Sequence, residues 1–236
     1  ARLADSVEFP YLLLLVSGGH TQLLAVAGPG QYHRYGTTMD DAAGEAFDKC
    51  AKIMGLGYPG GPAIEAAAQQ GDATAIALPR PLKGTDHCHF SFSGLKTALA
   101  NKFKQLGGAE KAPVHDLAAS LQAAIADCLA DRTKQAMTRF RDEFPPADGQ
   151  QPLLVIAGGV AANNSIRENM SKISEEMNFK PIFPKSKFCG DNAAMIAWAG
   201  IKRFKMGLIN NIDFPAKSRW PLDSEAPYMK GPGLKL

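Results

Sequence analysis

Residues 12–26 read LLLLVSGGHTQLLAV, two apolar runs split by Ser17-Gly18-Gly19-His20. Each run predicts a β-strand, 12–16 and 21–27, and the pair predicts a hairpin. A tight hairpin connection needs only two residues. Four, including two glycines, a hydroxyl and an imidazole, leave two readings open. The stretch is a simple reversal, or it is a cradle that aims backbone N–H groups at an anion.

Working outward, GPGQYHRYGT (28–37) predicts a turn into a third short strand. From Asp40 the period changes: Ala43, Phe47, Cys50 and Met54 recur at helical spacing, and Gly55 and Gly57 end the helix. YPGGP (58–62) is a rigid loop, with Pro62 in the first turn of a helix reaching Gln70. Residues 77–99 predict an extended, proline-rich insertion that ends in a helix from Gly94, followed by a helix over His115–Phe140. After the exposed linker EFPPADGQQP, the continuous apolar run of Leu153–Ala157 fits a buried parallel strand. A helix to about Met177, a strand at Pro181–Phe183 and a helix from Asp191 to about Met206 complete the pattern. An antiparallel start followed by strand–helix alternation predicts an α/β fold with a mixed sheet.

Composition narrows the function classes. With 236 residues, 45% apolar and 21% charged, the chain matches an ordinary globular protein able to bury a core. Its longest apolar run, Tyr11–Val16, is too short to cross a bilayer, and the first residues lack the pattern of a secretory signal. Ala1 stands where an initiator methionine would, which predicts a processed or cut chain. Cys50, Cys88, Cys128 and Cys189 form no C-x-x-C pair and predict reduced thiols. Net charge is +3, but from Pro181 onward nine basic residues (Lys185, Lys187, Lys202, Arg203, Lys205, Lys217, Arg219, Lys230, Lys235) face four acids. That is a nucleic-acid footprint or a solvated surface.

Three glycine junctions stand where strands end or helices begin: VSGGHT, YPGGP and AGGVAANNS. The last delivers Gly158-Gly159 to a helix N-terminus, with Asn163 or Asn164 as its cap or as a ribose or base contact. Its spacing is not G-x-G-x-x-G, and no P-loop occurs. Asp41, Glu45, Asp48 and Lys52 share one helical face, either solvated or turned to ribose hydroxyls. Gly44 in mid-helix costs about 1 kcal/mol relative to alanine and predicts close approach of another backbone or a ligand. Asp191 at a helix start reads first as an N-cap, alternatively as a metal ligand. His87 and His89 in DHCHF lack a third nearby ligand, and Ser91, Ser93 and Lys96 suit capping or anion contact. No G-x-S-x-G elbow or H-E-x-x-H motif supports hydrolase chemistry.

Together LLVSGGHTQL, DDAAGEAFDK, YPGGP, FSFSGLKTA, AGGVAAN, CGDNAAMIAW and RWPLD resemble the tRNA adenosine threonylcarbamoyltransferase family (TsaD type, formerly classed as O-sialoglycoprotein endopeptidases) over nearly the whole chain. The resemblance implies an ASKHA (actin/Hsp70/sugar-kinase) fold, here an RNase-H-like lobe with a mixed sheet and a helical insertion. It implies transfer of threonylcarbamoyl from its adenylate to the exocyclic amine of the adenosine beside the tRNA anticodon. By motif, Leu15, Val16, Ser17, Gly18 and Gly19 line the adenylate site, Asp48, Gly61, Glu65 and Asn163 hold its other polar groups, and Asp191 binds the metal, iron or zinc. The family's two metal histidines belong to an H-x-x-x-H helix that has no match here, and neither His20 nor His115 replaces it. The resemblance therefore implies that residues 1–236 are the second lobe, with a helical insertion at about 80–145 and a C-terminal helix and tail, 190–236, that pack on a first lobe. Such a lobe is expected to bind metal weakly and to be inactive alone. Implied partners are tRNA, the adenylate or an ATP-like nucleotide, and companion proteins, with no membrane; the implied compartment is the bacterial cytoplasm, or the mitochondrion in a eukaryote. Two alternatives stay open: an ASKHA kinase or ATPase, and a non-catalytic ASKHA partner subunit.

Overall fold

The computed structural model describes residues 2, 7–185, 188–216 and 220–227. The opening stretch forms the predicted hairpin, β1 (Tyr11–Val16) and β2 (Thr21–Gly28), and β3 (Gln31–Thr37) continues it antiparallel. The later strands β4 (Leu153–Ala157) and β5 (Lys180–Ile182) add on the other side of β1, both parallel, giving the order β3-β2-β1-β4-β5. This is the mixed sheet expected of an RNase-H-like lobe.

Position in that order explains the sequence pattern. β1 lies at the centre, so Leu12, Leu14 and Val16 enter the main core while Tyr11 joins Leu24, Val26 and Val155 on the opposite face. A strand with apolar neighbours on both faces has no reason to alternate. The main core lies between the sheet and the helices α1 (Ala43–Ile53), α2 (Gly60–Ala68), α3 (Ser93–Gln105), α5 (Val114–Glu143) and α6 (Asn164–Glu176). The four-residue α4 (Gly108–Lys111) joins α3 to α5. The 80–145 stretch thus carries α3 to α5, and α5 packs Leu117, Leu121, Ile125 and Leu129 into the same core as the strands.

Three local expectations are corrected. Gly158-Gly159 does not open an α-helix; a 3-10 turn, Gly159–Ala162, intervenes before α6. β5 begins one residue earlier than expected, at Lys180. The final helix α7 (Ala193–Lys205) is capped by Asn192, whose Oδ1 accepts from Met195 N at 2.9 Å. Asn192, adjoining the first helical residue, takes the capping place predicted for Asp191. Ile196, Ile201 and Phe204 of α7 are exposed.

All four cysteines are buried and unpaired, and burial pushes the thiols of Cys50 and Cys128 up to about 12. Among the described residues, no helix is long and apolar enough to cross a membrane. Of the nine basic residues beyond Pro181, Lys187, Lys217, Arg219, Lys230 and Lys235 lie outside the described residues, as do parts of RWPLD and of the opening segment.

Candidate functional site

The cradle-or-turn question resolves at atomic level. Ser17 N donates to His20 O at 2.7 Å, closing the reversal. Ser17 Oγ accepts from Gly19 N at 3.3 Å and His20 N at 3.0 Å, so these two N–H groups fold the turn rather than face a ligand. The turn is in addition a docking point for α1. Gly44 N donates to Ser17 O at 3.2 Å, and a Cβ on Gly44 would stand 2.7 Å from that oxygen. The backbone approach predicted from a mid-helix glycine is therefore made by the SGG turn itself. Ala43 N donates to Thr21 Oγ1 at 2.9 Å, so the hairpin satisfies helix-start N–H groups that would otherwise need caps.

The second junction meets the same helix. Asp48, on α1, accepts Gly60 N at 2.7 Å and so ties the YPGGP loop to the turn region. The third junction arrives from β4: Gly158 has φ +106°, and a Cβ there would lie 2.2 Å from Val16 O. Only glycine fits both that dihedral and that crossing of β1. Downstream, Asn163 caps α6 through Ile166 N at 3.0 Å and donates to Gln122 Oε1 at 2.8 Å, while Glu65 Oε1 accepts Asn164 N at 2.8 Å.

These contacts gather all three junctions around one cavity of about 310 Å³. Gly18 and Gly44 form one edge, Gly61 and Pro59 another, Gly159 and Asn163 a third, with Phe47 apolar between them and Asp48 and Glu65 as its two carboxylates. It lies where the parallel strands β1 and β4 end, the usual ligand position in open α/β sheets. Among the described residues, no lysine or arginine lines it. Two acceptors, an apolar wall and glycine edges suit a hydroxyl-bearing ring better than a bare phosphate.

Of the predicted site residues, Gly18, Asp48, Gly61, Glu65 and Asn163 line the cavity. Ser17 and Gly19 shape its turn without lining it. Leu15 and Val16 do not reach it: Leu15 packs on the opposite sheet face and Val16 is buried in the core. Asp191 lies elsewhere, in a shallow recess with Asn192 and Ile196, and its carboxylate has no hydrogen bond among the described residues. The predicted acidic face divides. Asp41 and Glu45 pair with Lys49 at 2.6 and 3.0 Å, and only Asp48 turns to the cavity.

Sequence reasoning missed Asp40. Its buried carboxylate accepts from Ser91 Oγ, Ser93 Oγ, Phe92 N and Ser93 N, at 2.6, 2.7, 2.7 and 3.2 Å. The serines of FSFSG therefore serve the Asp40 carboxylate and the start of α3 rather than a bound ligand, and Lys96 pairs with Asp41 at 3.3 Å. Two adjacent aspartates before a helix were the available signal. Arg132, fully buried, was also missed; it donates to Thr85 and to His87 O. Nδ1 of His87 accepts from His89 N, and Nδ1 of His89 accepts from Thr37 N, so DHCHF is held by backbone bonds. No cluster of three His, Cys, Asp or Glu able to hold a metal exists among the described residues.

Comparison with known proteins places the chain in a family. A family model described as tRNA N6-adenosine threonylcarbamoyltransferase matches residues 1–198. A protein of that name from Rhizobium meliloti (strain 1021) is 53% identical over 236 residues, covering 100% of this chain and 65% of the relative. One from Maricaulis maris (strain MCS10) is 54% identical over 226 residues, covering 95% and 59%. The chain thus spans less than two thirds of the length of these relatives. Among solved structures, T. kodakarensis HypF superposes with a TM-score of 0.59 at 15% identity, over 84% of this chain and 34% of that one, which is a likeness of fold.

Proposed function

The chain belongs to the tRNA N6-adenosine threonylcarbamoyltransferase family, and from that premise we propose that its cavity holds the adenosine part of a threonylcarbamoyl-adenylate during transfer to tRNA. The observation that carries this reading is the convergence of the three glycine junctions on one recess with two carboxylates. Asp48 and Glu65 each spend one oxygen on a backbone N–H, at Gly60 and Asn164, which leaves the other to accept from ribose hydroxyls. Phe47 supplies an apolar surface to the ring.

In the proposed reaction the exocyclic amine of the adenosine beside the anticodon attacks the carbamoyl carbon. A C–N bond forms, the bond to the adenylate phosphate breaks, AMP leaves and the amine proton passes to solvent. No side chain lining the cavity is placed as a nucleophile, so the contribution of these residues is to bind and orient the donor. Turn and loop contacts fix Asp48, Glu65 and Gly18 before any ligand arrives, which limits the ordering cost of binding. The family resemblance also implies iron or zinc at Asp191. A single exposed carboxylate without a second donor among the described residues does not fit a metal by itself, and no step is routed through one. tRNA, companion proteins and a cytoplasmic setting belong to the same proposal. A kinase or ATPase reading is less well served, because the lining holds no cation for transferring phosphates among the described residues.

Calorimetry with adenosine analogues tests the ribose assignment. AMP and adenosine are expected to bind with similar affinity, and 2′,3′-dideoxyadenosine at least about tenfold more weakly, because it covers the two carboxylates without pairing them. Glu65→Gln is expected to narrow that difference. Equal affinity for the dideoxy compound would remove the hydroxyl-binding role of the two carboxylates.

A further inference from the structure

Beside the cavity, and sharing Asp48 with it, lies a second recess of about 430 Å³ bounded by Lys52, Gly55, Leu56 and Tyr58. We propose that this recess seats the acceptor nucleobase, a purine in single-stranded RNA, with the Tyr58 ring as its stacking platform and Lys52 on the adjoining phosphate. This rests on the reading of the neighbouring cavity as the donor site.

Five observations support it. Tyr58 is 85% exposed, and its hydroxyl makes no hydrogen bond among the described residues, so the fold does not use it. The other strongly exposed rings among the described residues, Phe204, Phe214 and Trp220, belong to the C-terminal segment. Tyr58 stands on the loop whose next residues, Pro59 and Gly61, wall the donor cavity. Its base is anchored, since Leu56 N donates to Ala51 O at 2.9 Å and Gly55 N to Lys52 O at 3.3 Å. Of the two lysines bounding the recess, Lys49 is held by Asp41 and Glu45, whereas Lys52 is exposed and has no ion pair among the described residues.

The chemistry requires a seat beside the donor, and this recess adjoins the cavity at Asp48. Attack needs amine and carbamoyl carbon about 3–3.5 Å apart, so the acceptor base must rest against the mouth of the donor cavity. A solvent-facing aromatic beside an uncommitted cation is the pairing by which proteins hold single-stranded nucleic acid, the ring taking the base and the cation the phosphate. Stacking does not distinguish one base from another. Choice of adenosine then comes from the amine's approach to the donor, not from Tyr58.

The test measures binding of a labelled anticodon stem–loop RNA, adenosine beside the anticodon, to this chain by fluorescence anisotropy, with and without saturating AMP. Tyr58→Ala is expected to weaken RNA binding about five- to a hundredfold, while Tyr58→Phe and Tyr58→Trp stay near wild type. Lys52→Gln is expected to lower the salt dependence by about one ion. AMP affinity should not change in any of the three Tyr58 variants. Unaltered RNA binding by Tyr58→Ala would overturn the proposal, as would a Tyr58→Phe variant as weak as Tyr58→Ala. Failure of the wild-type chain to bind RNA while it still binds AMP would overturn it and leave the donor cavity standing. Failure to bind AMP would remove the donor reading itself. Unaltered RNA binding together with loss of self-association in Tyr58→Ala would assign the ring to a protein interface instead, and the proposal would fall.

Discussion

His89 shows how a residue that looks like metal chemistry is committed to the fold. Its Nδ1 accepts from Thr37 N at 3.2 Å, and burial, followed by the nearby His87 and Arg34 charges, holds its pKa below the ordinary 6.5. Protonation would put a hydrogen where the backbone N–H already points. The folded-state value is depressed, so this contribution to stability is full above about pH 6.5 and is lost as pH falls towards and through the folded-state value. Thermal melting at pH 7.5 and pH 5 is expected to show a smaller acid loss in His89→Gln than in wild type. An equal loss would assign the acid limb to other groups. Asp40 has the same lesson from the other side: adjacent aspartates in MDD were visible, but that one carboxylate gathers Ser91, Ser93 and the start of α3 depends on a contact 51 to 53 residues away.

At the scale of elements, the glycine junctions join secondary structure before they meet any ligand. Gly44→Ala places a methyl carbon 2.7 Å from Ser17 O and 2.8 Å from Gly18, both backbone and unable to yield cheaply. The helix propensity gained, about 1 kcal/mol, is outweighed by an overpacking cost of about 1–3 kcal/mol. Net destabilisation by chemical denaturation is therefore expected; a variant more stable than wild type would show that the turn moves freely. Much at this scale was legible. The hairpin, the buried parallel strand and the helical periods of α1 and α5 follow from apolar spacing, and Gly44 announced a close approach. What spacing did not reveal is where junctions from distant parts of the chain meet, since that depends on β4 lying beside β1. The Asp41–Glu45–Asp48 face divided for a similar reason: partners on α1 and α3 claim the first two carboxylates, and the first residue of α2 reaches the third.

For the molecule as a whole, the sheet order sets the ends of β1 and β4 side by side and so lets three loops make one cavity. Asp191 stands apart from that cavity with no second donor among the described residues, so titration of this chain with iron(II) or zinc is expected to show no tight stoichiometric site; one tight equivalent would contradict it. Transferase activity by this chain alone is not expected on the same grounds. The most direct test of the account is a ¹H–¹⁵N spectrum of the chain titrated with AMP. The account predicts saturable shifts at Gly18, Asp48, Gly61, Glu65 and Asn163, with Asp191 and α7 unmoved. Saturable binding whose shifts fall away from the cavity lining, or no binding at millimolar AMP, would contradict it.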